Sequence, residues 1–217
     1  MRKCTSSVII IGSAWGIVEA TVGHFIHIFT LGIGWLLWFP IAFFFLNSVY
    51  RMTKKTSCMM YTAFLAAGIK MLDLFYTPRI DYVINPAVSI ILEALAVFAV
   101  YQFLMKYNHQ VKLGLYSILI ACIGWKVLYI CYLLFLHSGW IEISCLSGMI
   151  PFAKFFFQET AVNSLFILGA VLPLRRLGAN HLHMLHKIET VFHNRTILAP
   201  LLSCIMLLLA IVVQIKL

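Results

Sequence analysis

Four carboxylates and three lysines stand where membrane-spanning sequence usually carries no charge. Glu19, Asp73, Glu93 and Glu159, with Lys70, Lys126 and Lys154, fall inside apolar stretches long enough to cross a bilayer. A charged side chain in hydrocarbon costs about 3 kcal/mol or more, so such groups face a bundle interior and mark a path for an ion or solute. Carboxylates near the midplane carry protons or bind cations, while lysines balance them or hold an anionic group. Asn85, Gln158 and Asn163 add neutral hydrogen-bonding groups to the same stretches. The chemistry expected is binding and translocation of a small polar solute or ion.

Other chemistries use the same residues. His24 and His27 are neighbours on one helix face, and Glu19 lies two turns below His27. Imidazole and carboxylate suit a transition metal, so a metal or haem protein is one alternative, although no HExxH pattern is present. An intramembrane enzyme could draw an acid and a base from Glu19, Glu93 and His24. No GxSG or GxGD pattern supports it. A scaffold is a third alternative, because Lys70 and Asp73 at i and i+3 could pair only to hold helices in register. The sequence names no cofactor.

Composition demands lipid as solvent. Hydrophobic residues make up 63% and charged residues 11% of the 217 residues, against roughly 45–50% and 25% in soluble domains. Apolar runs near spanning length occupy about 7–29, 33–50, 57–76, 82–105, 113–137, 150–174 and 196–216. The expected fold is an all-α bundle of seven, or six, spanning helices in one integral-membrane domain. Residues 175–195 alternate leucine and isoleucine with arginine, histidine and lysine, which suits an amphipathic helix on the inner leaflet. The net charge of +9 sits mostly in short connections: Arg2 and Lys3; Arg51, Lys54 and Lys55; Lys106 and Lys112; Arg175 to Arg195. These alternate with connections that hold only Arg79, so the N-terminus is expected inside. No nucleic-acid pattern accompanies the charge. The apolar N-terminal run lacks a clear cleavage site and reads as a retained helix. The six cysteines form no CxxC pair, and most read as small hydrophobes. With no organellar targeting pattern visible, the expected location is a cell membrane, by default the bacterial inner membrane.

This orientation converts the charges into depths. Glu19 lies roughly 18 Å into the first helix at about 1.5 Å per residue, past the midplane toward the outside. Lys70, Asp73, Lys154, Gln158 and Glu159 also fall in the outer half, with Glu93, Lys126 and Asn163 near the middle. Gly12, Gly16, Glu19, Ala20, Gly23 and His27 share one face of the first helix, where small residues allow close packing. Asp81, Asn85, Ser89 and Glu93 recur every fourth residue as a polar stripe. An outward-facing polar cavity is the expected result.

The pattern resembles the substrate-binding membrane subunits of energy-coupling-factor transporters. Those chains have comparable length and helix number, a small-xxx-small first helix (here Gly12, Gly16 and Ala20) and an outward-facing pocket. The resemblance implies that the small face contacts a coupling membrane subunit. It also implies a vitamin, a metal or a related micronutrient in the pocket. Glu19 and His27 on that face, and the seventh helix, depart from the pattern.

Overall fold

Lipid offers no partner to a backbone N–H or carbonyl, so an apolar chain of this kind bonds its backbone within helices. The computed structural model describes residues 2–28, 34–75, 80–107, 114–136, 148–176 and 198–216, and among these there is no strand. The helices are α1 (Arg2–Ile28), α2 (Gly34–Thr53), α3 (Ser57–Lys70), α4 (Asp81–Tyr107), α5 (Leu115–Leu136), α6 (Met149–Ala153), α7 (Glu159–Arg176) and α8 (Leu198–Lys216). A tight turn of 3-10 helix, Met71–Phe75, continues α3, and a π-turn, Lys154–Gln158, joins α6 to α7. The amphipathic segment expected at 175–195 lies, beyond Arg176, outside the described residues, as does most of Ser144–Met149.

Among the described residues, four stretches are long and apolar enough to cross a bilayer: Cys4–Val22, Ser57–Phe75, Tyr82–Tyr107 and Leu115–Phe135. Phe64, Phe103, Ile120, Phe135 and Leu208 are exposed on the outer faces of the bundle, where lipid tails would solvate them. The described residues thus form an all-helical bundle whose length and composition suit a membrane.

Helix α2 lies at the centre, touching α1, α3, α4 and α7, and it buries Phe39, Ala42, Phe43, Leu46 and Val49. Around it α1 packs on α3, α3 on α4, α4 on α5 and α5 on α7, while α8 lies along α1. Gly12 allows α1 to meet Leu65 and the Thr62 carbonyl of α3, and Gly16 allows it to meet Ile69. The small face of α1 is therefore covered by α3 of the same chain. A coupling subunit would need a different surface.

Residue pairs give the helix directions. Cys4 with Cys58, Gly12 with Leu65 and Gly16 with Ile69 keep one register, so α1 and α3 run parallel. Asn85 with Tyr132 and Ala96 with Gly124 make α4 and α5 antiparallel. Cys122 with Ser164 and Lys126 with Glu159 make α5 and α7 antiparallel. Cys4 and Cys58 form a disulfide, which corrects their reading as small hydrophobes. Between α2 and α3, Lys54 adopts φ 55° and returns its N–H to the Tyr50 carbonyl at 2.7 Å. That left-handed cap usually falls to glycine; here it places a lysine at the membrane end.

Candidate functional site

The buried charges divide into two groups on different helix pairs. The first draws on α1, the end of α3, and α4, which packs on α3. The register set by Gly12 and Gly16 carries the next turn of α1, with Glu19, level with the end of α3. Glu19 is close enough there to feel the charge of Lys70. Lys70 Nζ donates to Asp73 Oδ2 at 2.8 Å, the pair expected from their spacing. On α4, Glu93 is buried as well.

Glu19 is 7% and Glu93 3% exposed, and each takes a hydrogen bond from its own helix. The Trp15 indole N–H donates to Glu19 Oε1 at 3.1 Å, and the Ser89 hydroxyl donates to Glu93 Oε1 at 3.1 Å. Trp15 is fully buried and stacks on Phe45 of α2 with ring centroids 5.9 Å apart, which fixes the donor. Two carboxylates on separate helices are thus buried in the bundle. One adjacent lysine is already engaged by Asp73.

The second group joins α5 to the π-turn and α7. Lys126 is 0% exposed. Its ammonium donates to the Phe155 carbonyl, approaches Glu159 Oε2 at 3.4 Å and lies 4.4 Å from the Phe155 ring centroid. One turn deeper the Ser164 hydroxyl donates to Cys122 Sγ at 3.3 Å, and Asn163 is buried beside it. This is a cross-helix ion pair with a capped carbonyl, and its charges are balanced.

An aromatic cluster flanks the second group. Phe39 of α2 stacks on Trp125 of α5 at 5.6 Å, and Trp125 meets Phe155 edge-on at 6.0 Å. Lys126 sits at the level of Glu93 in the antiparallel α4–α5 pair but is turned toward α7. One polar cavity was expected from the depths; the side chains resolve into two clusters.

The remaining expected residues fall as follows. Asn85 accepts a hydrogen bond from the Tyr132 hydroxyl at 3.1 Å, tying α4 to α5. Ala20 is buried beside Glu19. Lys154 and Gln158 are exposed, against the expectation that they face the interior. The π-turn explains this. It carries an extra residue per turn, so projection at 100° per residue fails across it. Both line an open hollow of about 490 Å³ with Met149, Ile150, Ala153 and Phe157. The side chains of His24, His27 and Asp81, and the surroundings of Gly23, lie outside what the structure describes. Among the described residues no three histidine, cysteine, aspartate or glutamate side chains gather to hold a metal.

Sequence reading passed over the polar contacts at the opposite end. The Tyr101 hydroxyl donates to Asn47 Oδ1 at 2.8 Å, and Gln102 donates to Thr56 Oγ1 at 3.0 Å. Asn47 is a single amide in the most hydrophobic stretch of α2, and nothing in its spacing points to Tyr101. Comparison with protein-family models, with curated proteins and with solved structures finds no match to the chain.

Proposed function

We propose that this chain is a seven-span membrane protein with its N-terminus inside. In this reading it binds a small polar solute or ion, a cation by charge, and helps move it across a cell membrane, with the bacterial inner membrane as the default location. The observation that carries the reading is that Glu19 of α1 and Glu93 of α4 are both buried, with no lysine or arginine at ion-pair distance among the described residues. An architectural network sets opposite charges against each other, as Lys126 and Glu159 do. A buried carboxylate without such a partner takes up a proton or a cation. The Trp15 and Ser89 donors each engage one oxygen of these carboxylates.

Helix directions support the topology. Parallel α1 and α3, with α4, α5 and α7 alternating, fit successive crossings. Arg51, Lys54, Lys55 and Lys106 fall at the end of the bundle that holds Cys4, the side expected inside. The carboxylate pair then lies toward the outer half.

The test is direct titration. Purified protein in lipid nanodiscs is titrated with Na⁺, K⁺, Mg²⁺, Ca²⁺ and choline by calorimetry, and proton uptake is followed with a pH dye. One of these is expected to bind the wild-type protein, with Glu19→Gln and Glu93→Gln each weakening it at least about tenfold, or about 1.4 kcal/mol. Unchanged binding and proton uptake in both variants would overturn the reading.

A further inference from the structure

The connection between α6 and α7 carries a backbone defect that a side chain repairs. In the π-turn the Glu159 N–H bonds to the Lys154 carbonyl. In a regular α-helix that N–H would go to the residue four back, Phe155. The Phe155 carbonyl takes its hydrogen bond from Lys126 Nζ of α5 instead. A buried lysine stands in for the missing backbone donor. The same ammonium lies beside Glu159, the residue at which the regular ladder resumes.

Moving the Glu159 N–H from Lys154 to Phe155 would turn the segment α-helical. Each residue before the turn would then take the place its predecessor holds now. For Met149 to Lys154 that is a rotation of about 100° and a shift of about 1.5 Å. Such a change ordinarily destroys side-chain packing. Here Phe155, Phe156 and Phe157 follow one another, so Phe156 would enter the place of Phe155 beside Trp125 and Lys126. An aromatic ring fills that place in either register. Exposed Lys154 would take the half-buried position of Ala153, reshaping the hollow that it lines. Residues from Glu159 onward would stay, and Lys126 would keep Glu159.

We propose that Lys154–Gln158 is a register switch between α6 and α7, held in the π register by Lys126 and permitted by the run of three phenylalanines. π-turns inside helices recur at functional sites, and here one hydrogen-bond exchange would move a whole segment. The switch stands on backbone geometry and does not require Glu19 and Glu93 to bind a cation, so either proposal can fail alone.

The experiment measures the register by electron-electron resonance in full-length protein in nanodiscs. Nitroxides are attached at Met149→Cys and Tyr82→Cys, both exposed positions, with the native free cysteines replaced by serine. A variant lacking Phe156 removes the extra residue of the turn, so a regular α-helix leaves Met149 where the π register holds it; this variant defines the π-register distance, and the main wild-type distance is expected to match it. Lys126→Met, with every residue kept, is expected to move the distribution by about 5 Å from that distance, given helix diameters of about 10 Å. Lys126→Arg, which keeps N–H donors, is expected to hold the wild-type value. A Lys126→Met distance equal to that of the deletion variant would overturn the switch. Should Lys126→Met not reconstitute, wild type and deletion decide. A second wild-type population displaced from the deletion distance supports the switch, and a single population at the deletion distance overturns it.

Discussion

At the scale of single residues, glycine and glutamate positions make opposite predictions. A Cβ on Gly12 would lie 3.1 Å from the Thr62 carbonyl oxygen and 2.9 Å from Leu65 Cδ2, and one on Gly16 would lie 3.0 Å from Ile69. Gly12→Ala and Gly16→Ala must therefore push α1 off α3, at about 1–3 kcal/mol each. Gly68 has nothing within 4 Å of its Cβ position. Gly68→Ala should be neutral or stabilise by up to about 1 kcal/mol through helix propensity. Unfolding in mixed micelles measures all three, and equal losses at Gly12 and Gly68 would contradict the packing described. The carboxylates separate function from structure in the same assay. If Glu93 has no opposite charge to lose, ligand-free Glu93→Gln should be no less stable than wild type. A partner in a structural ion pair would instead lose about 3–5 kcal/mol.

Between elements, α5 and α7 should behave as that structural pair. Lys126→Met strands Glu159, and Glu159→Met strands the buried ammonium. Each single variant is expected to lose about 3–5 kcal/mol. The double variant should lose less than their sum, with a coupling of about 1–3 kcal/mol. Additive losses in a double-mutant cycle would show that the two side chains do not act together. Helix α2 works differently, through shape alone. Phe39, Phe43 and Leu46 fill the centre, and its one buried amide, Asn47, is satisfied by Tyr101.

For the whole molecule, orientation and redox state are linked. The Cys4–Cys58 pair lies at the basic end, which the positive-inside rule places toward the cytoplasm. Thiols stay reduced there in most cells. The closed disulfide and the positive-inside orientation thus make opposite demands: thiols at both positions, trapped by acid quench of intact cells and alkylated after denaturation, would mean that this end faces the cytoplasm. Recovery of the pair as a disulfide from intact cells, with a loss of about 2–4 kcal/mol in Cys4→Ser, would turn the orientation around. The contact of α1 with α3 does not depend on the outcome, because Gly12 and Gly16 hold it independently.

The sequence by itself determined the solvent and the secondary structure. Apolar runs of spanning length leave a backbone no option but helices, and buried charges among them must face protein. The Lys70–Asp73 pair was legible too, because local spacing sets it. Partners across helices were not legible. That Lys126 meets Glu159 while Glu19 and Glu93 stay without an opposite charge at ion-pair distance among the described residues depends on helix rotation and register, which glycine contacts and the central position of α2 decide. The π-turn was equally hidden. A local sequence of three phenylalanines is compatible with both registers, and only the ammonium of Lys126, arriving from another helix, selects between them. Only tertiary structure could set buried Glu19 and Glu93 apart from the balanced Lys126–Glu159 pair, since the difference lies in which helices face each other.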